Sequence, residues 1–449
     1  MASRAVLESE SALLSRMEEA RARTDALFAL LTPNSFYDRP IAERHRLIFY
    51  LGHLEAFDRN LLSGVLGLVS EDSELDKLFA FGIDPVGGGL PSDQPEDWPS
   101  IAQVESYSRQ VREKLDERLH NPSVIRAADA SLSDGTLLQV AIEHRLMHAE
   151  TLAYLLHGLP LNHKKRQPGP EPDLRSAPYP KQVTIPTGIA TLGKSRSTRS
   201  FGWDNEFGMQ KVLVPSFSID VFPVSNAEYL KFVQDGGYQD GKYWRKEDWE
   251  WRRKENIEHP HFWMRSRSSD SAAQGLGRWE YRAMFGSIPL PPSWPVYLSH
   301  AEASAYARWA GRKLPTEEQW HRAAYGTTAG RERQYPWGDE PPDESRGNFG
   351  FKRWDPTGVD AHPQGASDFG VHDLLGNGWE WTLTVFGPLP GFEPFPFYKG
   401  YSADFFDAKH FVMKGGSPRT DACMQRRSFR NWFQPHYPYT YSTFRCVED

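Results

Sequence analysis

Cysteine is almost missing from this chain: Cys423 and Cys446 are the only two among 449 residues. Two thiols cannot build a disulfide framework or a four-thiolate zinc site, and such sparse use fits a reducing, cytoplasmic setting. Long apolar runs are missing too, since no stretch reaches the roughly 18 to 20 apolar residues of a membrane-spanning helix. The N-terminal MASRAVLESESALLSRMEEARART is charged and helical in pattern, without the apolar centre of a secretory signal. Nor is there an excess of positive charge. A net charge of −7 and a pI near 6.1 argue against a nucleic-acid partner or an anionic membrane surface, both of which call for a basic face. The expectation is a soluble cytoplasmic protein with no nucleic-acid and no membrane partner.

What is present divides in two. At 449 residues the chain exceeds one ordinary core, so two domains are expected. Up to about residue 160 apolar residues recur at three- and four-residue spacing in LLSRMEEARARTDALFALL, ERHRLIFYLGHLEAFDRNLL, QVESYSRQVREKLDERL and LLQVAIEHRLMHAETLAYLLHGL. Four such segments predict a four-helix bundle over residues 1–160, with Asp134 and Gly135 at the entry of the last helix and Gly158 and Pro160 at its end. Residues 161–183 are rich in Pro and charge and read as a linker. Over 184–449 strands are short, Gly, Pro, Trp and Tyr are dense, and helical periodicity persists mainly in AEYLKFVQDGG and SHAEASAYARWAG, a pattern of irregular α+β structure. The Gly-rich turns LLGNGWEWT and MKGGSPRT lack the strand-to-helix setting of a phosphate loop.

Residues 144–150 read HRLMHAE. His144 and His148 are four apart, about 400° of helical rotation, so both rings leave one face one turn apart and can meet a single metal ion. Glu150 lies about 200° around the axis from His148, too far round to complete a two-His, one-carboxylate site. Glu150 is left either to orient a ligand His or to form a surface ion pair with Arg145 or another neighbour, and the structural pairing is the expectation. His157 is turned about 180° to 220° from the pair and reads as a helix-end or surface residue. A third ligand must come from another helix, and His53 in LIFYLGHLEAF is the best upstream candidate, in keeping with how bundles assemble metal sites from inward-facing side chains. An all-His site suits Fe(II), Zn(II) or Cu(II), and spacing alone does not choose among them.

The second half carries VFPVSNAEYLKFV, YLSHAEASAYARWAGRKLPTEEQWHRAA, YPWGD, GNGWEWT, KGGS and a terminal FRCV. Together these resemble the formylglycine-generating-enzyme-like fold, itself similar to C-type lectins, over roughly residues 184–449. The bundle with HRLMHAE resembles the DinB-like domain, and the combination resembles the sulfoxide synthases of ergothioneine biosynthesis, the EgtB family. The resemblance implies an α+β class: a DinB-like four-helix bundle followed by an irregular formylglycine-generating-enzyme-like domain. It also implies a mononuclear non-haem Fe(II) held by His53, His144 and His148. O₂ would be used to join a thiol sulfur to the imidazole C2 of hercynine and to oxidise that sulfur to a sulfoxide. Formylglycine generation itself is not expected, because GGSPRTDACMQRR places Thr420 and Gln425 where that enzyme has its reactive cysteine pair. Cys446 is expected to be a small buried hydrophobe.

Further roles follow from the resemblance alone. FPFYKGYSADFF places Tyr398 and Tyr401 like a tyrosine pair near the iron, and one phenol, Tyr398 by preference, would supply a proton; a phenol with an ordinary pKa near 10 can do so while neutral at pH 7. SFRNWFQPHYPY resembles the substrate-binding run: Asn431 would bind hercynine's carboxylate and Trp432 its trimethylammonium by cation–π contact. Arg430 and Arg427 are candidate carboxylate anchors, although an Arg in so aromatic a region more often stacks or pairs structurally. Members that use γ-glutamylcysteine carry charged anchors where this chain has Phe433 and Tyr437, so cysteine is the expected thiol. Those members also place a Gln where this chain has Met147, which leaves imidazole recognition unassigned. The active site is expected in the cleft between the domains. Alternatives are an ovothiol-type enzyme coupling cysteine to histidine, although the chain ends at Asp449 without the methyltransferase domain usual there, a selenosugar-using homologue, and a non-catalytic lectin-like binding module.

Overall fold

The computed structural model describes residues 10–70, 72–80, 90–121, 132, 134–266 and 275–448. The chain divides into two compact units, Met1–Gln167 with Arg199–Phe201, and Pro168–Thr198 with Gly202–Asp449.

The first unit is built on helices α1 (Glu10–Phe28), α2 (Leu47–Leu66), a short α3 (Ser73–Leu78), α4 (Ile101–Leu119) and α5 (Thr136–Gly158). Local chemistry sets their ends. Ser100 and Gln103 form a reciprocal capping box at the start of α4, satisfying two backbone donors the first turn leaves open. Gly135 precedes α5 with φ 81°, a left-handed turn that glycine adopts without strain, and the Thr136 N–H donates to Asp134 Oδ1 at 2.9 Å. The four long helices are those the periodicity predicts. α1 and α2 both pack on α5, and α4 on α2. With two helices against it, α5 buries most of its circumference, including Glu143, His144, Arg145, His148 and His157. No helix among the described residues is long and apolar enough to cross a membrane.

Among the described residues the second unit holds twelve short strands in four small sheets, together with five helices. β1 (Gln182–Ile185), β4 (Phe217–Asp220) and β12 (Val447–Glu448) form one antiparallel sheet, with Val183 opposite Ile219 and Val447 opposite Ile219 on the other side. β2 (Gly188–Leu192) pairs with β3 (Gln210–Val214), and β5 (Trp263–Arg265), β6 (Trp279–Ala283) and β7 (Gly286–Pro289) form a meander. The fourth sheet runs β10 (Asn431–Phe433), β9 (Phe411–Gly416), β8 (Gly378–Val385), β11 (Ser442–Thr443), its last pair parallel. The helices are α6 (Asn226–Gln234), α7 (Lys246–Lys254), α8 (His300–Trp309), α9 (Glu317–Tyr325) and the turn α10 (Gly400–Ala403). Periodicity does not single out α7 and α9, of nine residues each. Trp320 of α9 is fully buried among Ile185, Phe217, Ile219, Val371 and Leu374 and forms one core of the unit.

Candidate functional site

The three imidazoles gather inside the first unit. His53 comes from α2 and His144 and His148 from α5; all are buried, and their ligand-capable nitrogens lie within 4.8 Å of one another. Ring centroids are 5.4 Å apart for His53 and His144, 5.0 Å for His53 and His148, and 4.5 Å for His144 and His148. His53 Nδ1 lies 2.7 Å from the Phe79 carbonyl oxygen. A carbonyl can only accept, so Nδ1 carries the proton and Nε2 keeps its lone pair, the arrangement found in metal-bound histidines. Burial pushes His53 down to about 4, while burial and the neighbouring imidazoles and arginines hold His144 and His148 well below the usual histidine range. All three rings are therefore neutral at pH 7, the form that ligates. His148 Nδ1 is buried without a hydrogen-bond partner among the described residues. Three neutral nitrogens at this spacing fit a divalent transition metal.

Each imidazole also has an aromatic neighbour on α2. Phe49 stacks on His53 at 4.8 Å, Phe57 on His144 at 3.4 Å, and Tyr50 lies 5.8 Å from His148. Residues 49, 53 and 57 are four apart, so one helix face supplies a ligand and two of its supporting rings. The spacing was available in the sequence, but which ring meets which imidazole depends on how α2 and α5 pack.

Two expectations for α5 need correcting. Glu150 is half-buried and stands outside the imidazole cluster, but it does not pair with Arg145 at the surface: Arg145 is only 1% exposed and binds Asp58 at 2.6 Å and Glu55 at 3.0 Å. His157 is in the last turn of α5 yet is buried, because the helix has no solvent-facing side there.

In the second unit Tyr398, Tyr401 and Trp432 come together. The Tyr398 and Tyr401 rings are 5.5 Å apart, and Tyr401 stacks on Trp203 at 3.9 Å and meets Trp432 edge-on at 5.5 Å. Phe386 covers one face of Trp432 at 4.1 Å and 7°, with Phe405 at 5.6 Å. Trp203 belongs to FGWDNEFG, and the polar residues that follow it anchor the tyrosine turn: Ser402 donates to Asp204, and Asn205 Nδ2 donates to Ser402 Oγ at 2.9 Å. Glu206 holds Arg426 in an ion pair and accepts from Ser428 at 2.6 Å. Sequence reasoning missed these residues, since each partner lies about 200 positions away.

Asn431 and Phe433 are half-buried on β10, and the Trp432 N–H donates to Asn431 Oδ1 at 2.8 Å. Phe433 stacks on Tyr437 at 5.1 Å and 18°. Arg430, a candidate carboxylate anchor, makes the structural pair that is the commoner use of such an Arg. It is buried, with Nε 3.0 Å and Nη2 3.0 Å from the Glu317 carboxylate and Nη1 donating to the Gly387 carbonyl at 2.9 Å. Lys414 shares this cluster, donating to the Phe429 carbonyl at 2.6 Å, and burial pushes its amine down to about 8. Arg427 is a third exposed and pairs with Glu332 at 3.2 Å. Thr420 and Gln425 are buried, as is the free thiol Cys446.

Comparison with known proteins matches residues 167–449 to the sulfatase-modifying factor enzyme 1-like domain and residues 16–152 to the DinB superfamily. The chain is similar to hercynine oxygenase of Mycolicibacterium smegmatis, 35% identical over 70% of this chain and 72% of that protein. Hercynine oxygenase of Mycobacterium tuberculosis is 37% identical over 58% of each chain. Ergothioneine biosynthesis protein 1 of Neurospora crassa is 28% identical over 94% of this chain and 56% of its own length. The matched region thus spans little more than half the length of these last two relatives.

Proposed function

We propose, from the premise that the chain belongs to the EgtB-type hercynine oxygenase family, that it is an Fe(II)- and O₂-dependent sulfoxide synthase joining cysteine to C2 of hercynine. The observation that carries the reading is the buried cluster of three neutral imidazoles, His53, His144 and His148. Bound there, Fe(II) supplies the one-electron chemistry through which O₂ can oxidise the sulfur and couple it to the imidazole carbon. The chain's part is to bind, orient and deliver protons. With its Oδ1 turned to the Trp432 N–H, Asn431 offers its Nδ2 donors to a carboxylate. Phe386 occupies one face of Trp432, so the trimethylammonium of hercynine is assigned to the opposite face.

The Tyr398 phenol is assigned to deliver a proton to the O₂-derived oxygen that leaves as water, while C2 and the thiol each lose their hydrogen. Tyr398→Phe removes a hydroxyl and keeps the ring that contacts Trp203 and Tyr401. It is expected to fold normally, to keep substrate affinity within about twofold, and to divert turnover toward thiol oxidation without C–S coupling. Product analysis by mass checks this, and an unchanged product ratio in both Tyr398→Phe and Tyr401→Phe would move the proton donor elsewhere.

Cysteine is the assigned thiol because Phe433 and Tyr437, stacked on each other, occupy the positions of the charged anchors in γ-glutamylcysteine-using members. Losing a charge-assisted hydrogen bond worth roughly 1.5 to 3 kcal/mol should weaken γ-glutamylcysteine by about tenfold to more than a hundredfold. Protein reconstituted anaerobically with Fe(II) should be exposed to O₂ with hercynine or histidine crossed against cysteine and γ-glutamylcysteine. The highest kcat/KM is expected for hercynine with cysteine. A preference for γ-glutamylcysteine would overturn the assigned thiol, and a preference for histidine would move the protein to the ovothiol type.

A further inference from the structure

Arg145 lies between the two histidines of HRLMHAE in sequence but does not share their face. From His144 it is turned by about 100° and from His148 by about 60°, toward the neighbouring helices. Its guanidinium is 1% exposed, and its two Nη groups engage α2 and α1 while Nε has no hydrogen-bond partner among the described residues. Nη2 donates to Asp58 Oδ2 at 2.6 Å and to the backbone carbonyl of Leu54 at 3.0 Å. Nη1 lies 3.0 Å from Glu55 Oε1 and 3.3 Å from Thr24 Oγ1. Leu54 and Glu55 are the two residues directly after His53, and Asp58 is one turn further on. The residue after one ligand therefore grips the residues after another.

A buried cation facing two buried carboxylates is an expensive way to hold helices together, and apolar side chains would do it at least as well. What the forked guanidinium adds is direction: a planar group with fixed donor angles binds one carbonyl, two carboxylates and a hydroxyl in only one rotation and one register of α2 against α5. That rotation and register decide where His53 Nε2 stands relative to the nitrogens of His144 and His148. The carboxylates are kept in place from outside as well, since Arg112 Nε binds Glu55 Oε1 at 2.7 Å.

We infer that Arg145 is a positioning residue for the metal centre, fixing His53 against the His144/His148 pair through the Leu54 carbonyl, Glu55 and Asp58. The inference rests on the reading of the three imidazoles as a metal site. Its test is metal binding. Arg145→Lys keeps the charge and loses the fork, and Arg21→Lys is the control: it keeps the charge that Arg21 places near Glu55 and Asp58 and alters only the ion pair to Asp116 that joins α1 to α4. Unaltered protein and both variants should be titrated with Co(II), following the ligand-field absorption, with thermal melts of each metal-free protein. The Arg145→Lys protein is expected to bind Co(II) at least tenfold more weakly with a shifted absorption band, whereas Arg21→Lys lowers the melting temperature and leaves affinity and band unchanged. Should Arg145→Lys fail to fold, the double variant Arg145→Met with Asp58→Leu replaces the pair by apolar groups, and its Co(II) affinity should fall by the same factor. A folded Arg145 variant with unaltered affinity and band would overturn the positioning role alone. Failure of the unaltered protein to bind Co(II) or Fe(II) would overturn the metal reading and this inference with it.

Discussion

The His144→Ala protein is expected to lose kcat/KM by at least about 10³-fold, roughly 4 kcal/mol of transition-state stabilisation, and to retain only a small fraction of its iron. The three nitrogens form the whole donor set of the cluster, and no carboxylate joins them among the described residues. A two-nitrogen remnant lacks a ready substitute: Glu55 and Asp58, the buried acids after His53, are already paired with Arg145, and Glu143, buried beside His144, lies outside the imidazole cluster. His148→Ala should behave alike. Glu150→Gln is the matching control: Glu150 leaves α5 about 200° from His148, so iron content should remain near one per chain. Metal analysis after anaerobic reconstitution, with circular dichroism to establish folding, checks all three. Full iron content and turnover in folded His144→Ala would remove the proposed centre.

How much of this was legible depended on the distance in sequence over which each feature is encoded. The His144/His148 pair is a local property of a helix, and its shared face follows from rotation per residue alone. His53 was legible as the histidine of an apolar helical segment in a bundle. Its Phe79 carbonyl partner was not, since that contact depends on the path of the chain beyond α2. The misplacement of His157 has the same origin. Periodicity assumes one wet face, whereas α5 has α1 and α2 against it and buries nearly its whole circumference. The partner of Arg430 was not legible for a related reason: Glu317 is 113 residues away, and sequence shows a cation without showing what neutralises it.

The motifs that carried the resemblance turn out to be mostly motifs of folding. In VFPVSNAE, YLSHAE and LPTEEQ the Ser or Thr caps a helix and the Glu or Gln three residues later returns the bond: Ser225 with Glu228, Ser299 with Glu302, Thr316 with Gln319. Such capping boxes fix where α6, α8 and α9 begin. That is why fold class was easier to read than chemistry: the recurring residues specify the scaffold, while the aromatic groups around Tyr401 and Trp432 are drawn from four separate segments, near residues 203, 386, 398–405 and 432.

The largest stability effect in the second unit is expected where GNGWEWT meets FRCV. Glu380 on β8 and Arg445 are both fully buried, joined by bonds of 2.6 Å and 2.7 Å in a forked pair. The remaining donors of Arg445 reach the carbonyls of Asp220 and Val221 on one side and His372 on the other. One side chain thus ties the C-terminal segment to β8, to the end of β4 and to the loop before β8. Arg445→Met leaves the Glu380 carboxylate buried without its cation and removes a donor from three carbonyls, of which Val221 keeps the His372 N–H, and breaking such a pair typically costs about 3 to 5 kcal/mol. Glu380→Leu should cost a similar amount, for the complementary reason. The double variant should be less damaged than the sum of the two, because no uncompensated charge remains, yet it should not recover fully, because the carbonyls of Asp220, Val221 and His372 still lack the Arg445 donors. Urea unfolding of the second unit, followed by tryptophan fluorescence and analysed as a double-mutant cycle, gives these values directly. A cost below about 1 kcal/mol for Arg445→Met would mean that water or a rearranged neighbour compensates Glu380, and that the pair is not what fastens the C-terminal segment.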